Sequence, residues 1–271
     1  MKRFLNRLIV LIVCGVASLS QATAGGLSIT FGVTPQQSPA ELAKLWGPVC
    51  DYLSKRTGYQ VHFKTSRDIS TFWNNTNEGL FDIVYINPAR YTSAQAVAGY
   101  KVFAKDGSSP LVGMIIVRKD GPTRVEELSG QKMAVPSLVA LAAAQIPQAY
   151  LREKGIPVSL VAVNSNESVF LTVDKGLYPA GASNLRIFGT LDAATQAKFR
   201  ILWKSDPLPP FAYAAHPRVA PQAVERIQRA MQEMDSNPEG RRLLAVLNLK
   251  AIVAAKDSDY DSVRKLHLRL E

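Results

Sequence analysis

Residues 81–91 of the chain read FDIVYINPARY, and this stretch predicts the fold. Its first half is a short apolar run with β-branched residues, long enough for one buried strand. Its second half predicts a helix start, with Asn87 as the N-cap and Pro88 at the first helical position. Such a junction leaves unpaired backbone N–H groups at the strand's carboxyl end, and these favour anionic or polar ligands. We therefore expect Tyr85, Asn87 and Tyr91 to line a cleft; the alternative is a buried strand followed by an ordinary capped helix.

The first 24 residues have the pattern of a secretory signal. A basic start precedes the apolar run at 8–19, and residues 22–24 read ATA, which predicts cleavage after Ala24. The apolar run is too short for a membrane span. Cys14 follows a bulky valine rather than a small residue, so we do not expect a lipid anchor. The mature chain would have 247 residues, 271 minus 24, and would be exported to the periplasm.

The net charge excludes few partners by itself. Cleavage would remove Lys2, Arg3 and Arg7, so the formal charge falls from +10 to +7. A basic balance suits nucleic acid, an anionic surface or an anionic ligand. Export makes nucleic acid an unsuitable partner, and the basic residues are scattered rather than clustered.

Cys50 is the single cysteine of the mature chain, so the fold cannot depend on an internal disulfide. It lies in a stretch with apolar residues at helical spacing, where a buried structural thiol is expected.

Strands and helices alternate along both halves of the chain. Residues 27–104 have the pattern β-α-β-α-β-α-β, which is typical of a doubly wound sheet. After a turn-rich break at 106–110, the alternation resumes, with a long helix at 138–154 that we expect to kink at Pro147. Residues 178–184 are predicted to form a loop. Prolines 207, 209 and 210 then predict an extended crossing, followed by a strand at 211–215 and by helices from 221 to the end.

No motif of a reactive site is present. The sequence has no dinucleotide fingerprint, no Walker loop and no Gly-x-Ser-x-Gly elbow. The three histidines do not share a metal-ligand spacing, so neither a metal nor another cofactor is expected. We do not expect an enzyme.

Uncharged hydrogen-bonding groups instead follow several predicted strands, at helix starts. Any one of them is more often a simple cap, but four such junctions in one exported chain favour a ligand site. The candidate ligand-binding residues are Gln36, Gln37, Ser38, Tyr85, Asn87, Tyr91, Ser137, Asn166 and Ser168.

Several segments together resemble the periplasmic phosphate/phosphite/phosphonate-binding proteins of ABC transporters. The resemblance implies an α/β fold of type II periplasmic-binding proteins, in which two doubly wound lobes close over a ligand like a flytrap. It implies a first lobe from 25–112 plus 211–271, a second lobe from 113–210 and a cleft between them, with crossing strands at 111–117 and 211–215. The segments are FGVTPQQS at 31–38, YINP with a tyrosine at 85–91, VRKD at 117–120, LSGQK at 128–132 and AAHP at 214–217.

In the second lobe, the residues at the positions that the resemblance implies for the site differ from those of the family. Tyr85 matches a cleft residue, but the family's run of hydroxyls after a proline is here PSLVA at 136–140, where Ser137 is the only hydroxyl. A family histidine matches Asn166, which donates a hydrogen bond but carries no charge. Losing charge-assisted hydrogen bonds of about 1.5–3 kcal/mol each would cost orders of magnitude in affinity. We therefore expect a small solute without strong binding of phosphonates.

The resemblance implies the substrate-binding component of an ABC transporter for a small oxyanion such as phosphate, phosphite or phosphonate. We expect a monomer that passes its ligand to an inner-membrane permease. The alternative is a sensory receptor of the same fold that acts on a membrane histidine kinase and binds no phosphonate. Some such relatives sense arsenite through a cysteine, and the apolar setting of Cys50 argues against that role.

Overall fold

The computed structural model of the chain describes residues 28–107, 110–266 and 268. The expected signal segment at 1–24 therefore lies outside the described residues. Within the described ranges, no helix has both the length and the apolar character needed to cross a membrane.

The described elements alternate as the sequence predicts, and their bounds are as follows. The strands are β1 (Ser28–Val33), β2 (Gln60–Lys64), β3 (Ile83–Ile86), β4 (Lys101–Asp106), β5 (Gly113–Arg118), β6 (Lys132–Val135), β7 (Ser159–Ala162), β8 (Ala180–Asn184), β9 (Phe199–Lys204), β10 (Ala212–Ala215) and β11 (Ile252–Ala254). The helices are α1 (Pro39–Thr57), α2 (Ile69–Asn77), α3 (Pro88–Ala98), α4 (Ile146–Glu153), α5 (Asn166–Asp174), α6 (Leu185–Phe188), α7 (Ala193–Ala197), α8 (Pro221–Gln232), α9 (Pro238–Val246) and α10 (Asp261–Arg264).

The first lobe is built on a sheet with the order β11-β4-β10-β3-β1-β2 among the described strands. β1, β2 and β3 run parallel, whereas β10 is inserted antiparallel between β3 and β4. Apolar side chains cover both faces of this sheet. One face packs on α1 and α8, and the other packs on α2 and α3.

The second lobe is built on a sheet with the order β7-β6-β8-β5-β9 among the described strands. β6, β7 and β8 run parallel, and β5 pairs antiparallel with β8 and β9. Its two faces also carry separate apolar clusters, so both sheets are doubly wound.

Two connections cross between the sheets, and their described residues include 110–112 in the first and 205–211 in the second. They pair with each other at one point, where the N–H of Leu111 donates to the carbonyl of Leu208 and the reverse bond forms, both at 2.9 Å. Both crossings lie earlier in the chain than the predicted segments 111–117 and 211–215, most of whose residues belong to β5 and β10. From Gly113 onward the chain pairs with β8 and β9, and from Ala212 onward it pairs with β3 and β4.

The prediction of a loop at 178–184 was wrong, because β8 is the middle strand of the second sheet. Its residues are small and have low strand propensity. A Cβ atom at Gly181 would lie 2.6 Å from Cγ1 of Val169 and 2.9 Å from Cγ2 of Val173. The close packing of α5 therefore requires this composition.

The predicted long helix at 138–154 is also divided differently. Residues 137–140 form a turn, Leu141–Gln145 form one π-helical segment, and α4 begins only at Ile146. The interruption lies next to Pro147, which lacks the N–H that a continuous helix would use.

The predicted tail helix is short. A 3-10 turn at Asp257–Tyr260 leads into α10, and an unpredicted strand, β11, precedes both.

Candidate functional site

The carboxyl ends of the parallel strands in the first lobe lie at one edge of the sheet. β1, β2 and β3 end there, and they are followed directly by Thr34, Thr65 and Asn87. β4 also ends at this edge and β10 begins there, since Ala212 pairs with both Ile86 and Lys105. Both crossings therefore leave the first lobe from the edge at which ligands of open α/β sheets bind.

Asn87 caps α3 as predicted. Its backbone is extended, and its side-chain oxygen accepts the N–H of Arg90 at 2.9 Å. The amide nitrogen of Asn87 has no hydrogen-bond partner within the described residues, and the side chain is half-buried. This nitrogen remains a donor for a ligand at the sheet edge.

Tyr85 lies in an aromatic wall. Its ring centroid is 4.8 Å from Trp46, 5.1 Å from Phe211 and 4.7 Å from Tyr213. Burial raises the pKa of Tyr85, the charge of Asp106 raises it further, and the charge of Arg186 opposes the rise. The hydroxyl therefore stays protonated at any physiological pH and is a neutral donor.

Tyr91 does not reach the sheet edge. Its side chain is fully buried and packs against Tyr260, with ring centroids 4.6 Å apart. The hydroxyl donates to Asp257 at 2.6 Å and accepts the N–H of Val102 at 3.3 Å. Tyr91 therefore joins α3 to the tail of the chain, and we leave it out of the proposed site.

Gln36, Gln37 and Ser38 follow β1 in an exposed turn. Ser38 caps α1, since its hydroxyl oxygen accepts the N–H of Glu41 at 3.3 Å. The neighbouring Thr34 is buried, and its hydroxyl donates to the carbonyl of Tyr85 at 3.0 Å, which ties this turn to β3.

The second lobe presents the carboxyl ends of β6, β7 and β8 at its own edge. Ser137 follows β6 and is half-buried. Asn166 begins α5 after β7, and its side-chain oxygen accepts the hydroxyl of Ser183 at 2.8 Å. The amide nitrogen of Asn166 has no partner among the described residues. Ser168 lies one residue beyond Glu167, and its hydroxyl oxygen accepts the hydroxyl of the cap Ser165 at 2.9 Å.

Leu138 and Val139 form the turn between Ser137 and the π-helical segment. Both side chains are exposed, at 54% and 38%. The hydroxyl oxygen of Ser137 accepts the N–H of Val139 at 3.4 Å, which is a weak bond. At the position where the resemblance implies hydroxyls, this turn therefore presents two aliphatic side chains.

Arg186 is a further candidate site residue, which the sequence patterns did not indicate. It lies on α6, directly after β8, at the same edge as Ser137 and Asn166. Its side chain is exposed, and it affects the ionisation of Tyr85 on the other lobe. Candidate residues were those that follow predicted strands. Because residues 178–184 were expected to be a loop, Arg186 was not among them.

The two edges meet near the crossings. Ala89, at the start of α3, belongs to one buried apolar cluster with Leu141 and Ile146 of the second lobe and with Leu208 of the second crossing. A groove of about 870 Å³ lies beside this cluster, between α4, the end of β9 and α10, and none of the candidate site residues lines it. The candidate residues therefore lie at the polar strand ends and not in that groove.

A family model matches residues 31–260, and its description is ABC transporter, phosphonate, periplasmic substrate-binding protein. This chain belongs to that family. The family is periplasmic and consists of transport solute-binding proteins, which are not enzymes.

Solved structures with the same fold include three bacterial proteins of low sequence identity. A binding protein component of an ABC phosphonate transporter from Pseudomonas aeruginosa is 18% identical, with a TM-score of 0.68 over 89% of this chain and 85% of that chain. PhnD1 from Prochlorococcus marinus, solved in complex with methylphosphonate, is 14% identical, with a TM-score of 0.71 over 88% and 96%. A Xanthomonas citri protein solved with a chloride ion is 16% identical, with a TM-score of 0.75 over 88% and 95%. The likeness confirms the predicted fold of two α/β lobes.

The side chains of this substrate-binding protein that could carry reactive or metal-binding chemistry have defined surroundings. Within the described residues, no group of three or more His, Cys, Asp or Glu side chains is arranged to hold a metal ion. Cys50 is buried as predicted, at 2% exposure, and burial raises the pKa of its thiol to about 12. His216 lies at the opposite end of β10 from the cleft edge, where Nδ1 accepts the N–H of Arg218 at 3.2 Å.

Proposed function

We propose that this protein encloses one small anion between its lobes and delivers it to an inner-membrane ABC permease. The observation that carries the proposal is the pairing of the two sheet edges. Each edge is polar, and at each edge parallel strands end and helices begin. Both crossings connect the edge of the first sheet to the edge of the second sheet. Binding at such an edge is the usual location for ligands of open α/β sheets.

The proposed first wall consists of neutral donors. Tyr85 offers a protonated hydroxyl and Asn87 offers an amide nitrogen, with the exposed turn Gln36, Gln37 and Ser38 beside them. Neutral donors at helix starts hold oxyanions through oriented N–H and O–H dipoles.

The proposed second wall, at the edge of the second sheet, adds a positive charge that the sequence patterns did not indicate. Ser137, Asn166 and Ser168 are neutral, and Arg186 is the cation beside them. A guanidinium pairs with an oxyanion through two parallel N–H donors, and such charged hydrogen bonds are about twice as strong as neutral ones.

Closure would occur by rotation about the two crossings. The paired backbones of Leu111 and Leu208 hold the crossings together, while prolines 207, 209 and 210 limit their backbone freedom. A ligand that contacts both walls binds the closed form more tightly, so it shifts the population toward closure. We propose lobe boundaries at 25–112 plus 211–271 and at 113–210, with the crossings between them.

Membership of the family supports the rest of the proposal. We propose that residues 1–24 are a cleaved export signal and that the mature chain acts as a monomer without a cofactor. The permease would recognise the closed form, because only that form signals a bound ligand.

A titration of the mature chain, residues 25–271, tests the proposal. The panel consists of phosphate, phosphite, methylphosphonate and small carboxylates, with neutral sugars and simple amines as controls. We expect 1:1 binding of at least one anion by calorimetry and no heat from the controls. Binding of a sugar or an amine with no response to any anion would overturn the proposal.

A reconstitution separates transport from sensing. The permease and ATPase encoded beside this chain, placed in liposomes, should hydrolyse ATP faster when the anion-loaded protein is added. A neighbouring sensor kinase whose autophosphorylation responds to the loaded protein would instead assign the chain to signalling.

A further inference from the structure

We infer that the cleft selects a monoanion with an apolar substituent: Arg186 pairs with the anionic group, and Leu138 and Val139 cover the substituent. This inference rests on the proposed function, because it names the class of solute for the same site. A small organic acid meets this description, whereas inorganic phosphate does not.

The position of Arg186 is fixed by the chain on both sides of it. Asn184 ends β8 opposite Gly113, and its side-chain oxygen caps α6 by accepting the N–H of Ile187 at 3.0 Å. The N–H of Leu185 donates to the carbonyl of Val112 in the first crossing at 2.9 Å. Arg186 therefore leaves a rigid turn right beside the point where the lobes join.

The charge of Arg186 is available for a ligand. Within the described residues no carboxylate lies within 4 Å of its guanidinium, whereas Arg218 and Arg264 are paired with Asp82 and Asp257. Its field reaches Tyr85 on the opposite wall, since it opposes the pKa rise that burial causes in that hydroxyl. An anion that touches Tyr85 is thus also in the field of Arg186.

One cation and several neutral donors suit one negative charge. Of the other described basic residues near these strand ends, Lys64 and Lys204 belong to the outer strands β2 and β9, and Lys105 is paired with Asp259 at 2.8 Å. Asp106 lies near Tyr85, and its carboxylate opposes additional negative charge there. A dianion such as a phosphate ester would meet one positive charge and one negative charge, so a carboxylate fits this site better.

The apolar part of the inferred site is the turn before the π-helical segment. Leu138 and Val139 are both exposed, and Leu141, which follows shortly after, packs in the same buried cluster as Ala89 of the first lobe. Ala89 is two residues past Asn87. The turn is therefore held at the mouth of the cleft, where an aliphatic substituent would remove both side chains from water.

A chain-length series tests this inference by calorimetry. The ligands are acetate, butanoate and hexanoate, with inorganic phosphate and methylphosphonate beside them. We expect affinity to rise by about fourfold for each added methylene. We also expect hexanoate to bind more tightly than either phosphorus anion.

Three variants separate the two parts of the site. Arg186→Gln should weaken the binding of every carboxylate by roughly tenfold or more, as expected for a lost charged hydrogen bond. Lys119→Gln, at the far end of β5, removes an equal charge and should leave affinity unchanged. Leu138→Ser with Val139→Thr restores hydroxyls and should flatten the chain-length dependence. Thermal unfolding verifies that each variant is folded.

The outcomes distinguish the inference from the function on which it rests. Tight binding of phosphate or methylphosphonate with no chain-length dependence would overturn the inference and leave the proposed function standing. An Arg186→Gln protein that binds hexanoate as the parent does would also overturn it. If no anion of either series binds, both the inference and the proposed function fail.

Discussion

Tyr85 and Tyr91 are close in sequence but have opposite surroundings. Tyr85 ends β3 at the cleft edge, whereas Tyr91 sits on the buried face of α3. The sequence predicted both as cleft residues, because a helix start by itself does not indicate which face of the helix is buried. The contact between Tyr91 and Asp257, 166 residues away in sequence, was not accessible to local pattern reasoning.

A pair of phenylalanine substitutions tests this assignment. Tyr85→Phe should weaken anion binding by about two- to tenfold, the value of one neutral hydrogen bond, with little loss of stability. Tyr91→Phe should leave affinity unchanged and lower the free energy of unfolding by about 1–3 kcal/mol, because Asp257 and the N–H of Val102 lose a partner. Calorimetry and urea unfolding measure the two effects, and a reversed pattern would place Tyr91 at the ligand instead.

Cys50 should not react in the folded protein. Its pKa of about 12 means that the thiol stays protonated at pH 8, and its side chain is closed to solvent. We expect no alkylation of the native chain within the time in which the urea-unfolded chain reacts completely. Equal alkylation rates in the native and unfolded chains would contradict this expectation and would support sensing through the thiol.

Arg186 shows why the site was only partly predictable. The neutral donors were found because caps such as Asn87 have a local sequence pattern. A single arginine after a stretch of small residues has no such pattern. Its role depends on β8 being a strand, and that depends on the packing of α5.

At the scale of elements, the alternation of strands and helices was predictable because apolar periodicity is a local signal. The exceptions are places where tertiary packing overrides propensity. β8 consists of Ala, Gly, Ala, Ser and Asn, and the neighbouring helix α5 leaves no room for a side chain at Gly181. The π-helical segment beside Pro147 has a local cause instead, because that proline lacks the N–H of a continuous helix.

Gly181→Ala tests the packing explanation for β8. The added methyl group would be 2.6 Å from Val169, whose side chain is fully buried, so α5 must move. We expect a loss of about 1–3 kcal/mol in the free energy of unfolding. Gly189→Ala is the matched control, since its Cβ would have an ordinary 3.4 Å contact and its φ is −66°. Equal stabilities of the two variants would contradict the explanation.

At the scale of the whole molecule, the described residues of the two lobes meet beside the crossings. Their contacts include the Leu111–Leu208 pair and the apolar cluster around Ala89 and Leu141. The cluster places the axis of any lobe rotation beside the polar edges. A small rotation would therefore move Asn166 and Arg186 toward Tyr85 and Asn87.

The distance between the lobes in solution tests the central claim most directly. Ser70→Cys on α2 and Leu171→Cys on α5 place spin labels on exposed sites outside the proposed cleft, in a Cys50→Ser background. Pulsed electron resonance should show a shorter and narrower distance distribution when a binding anion from the panel is added, and no change with a neutral sugar. The same distribution with and without every anion of the panel would contradict the account.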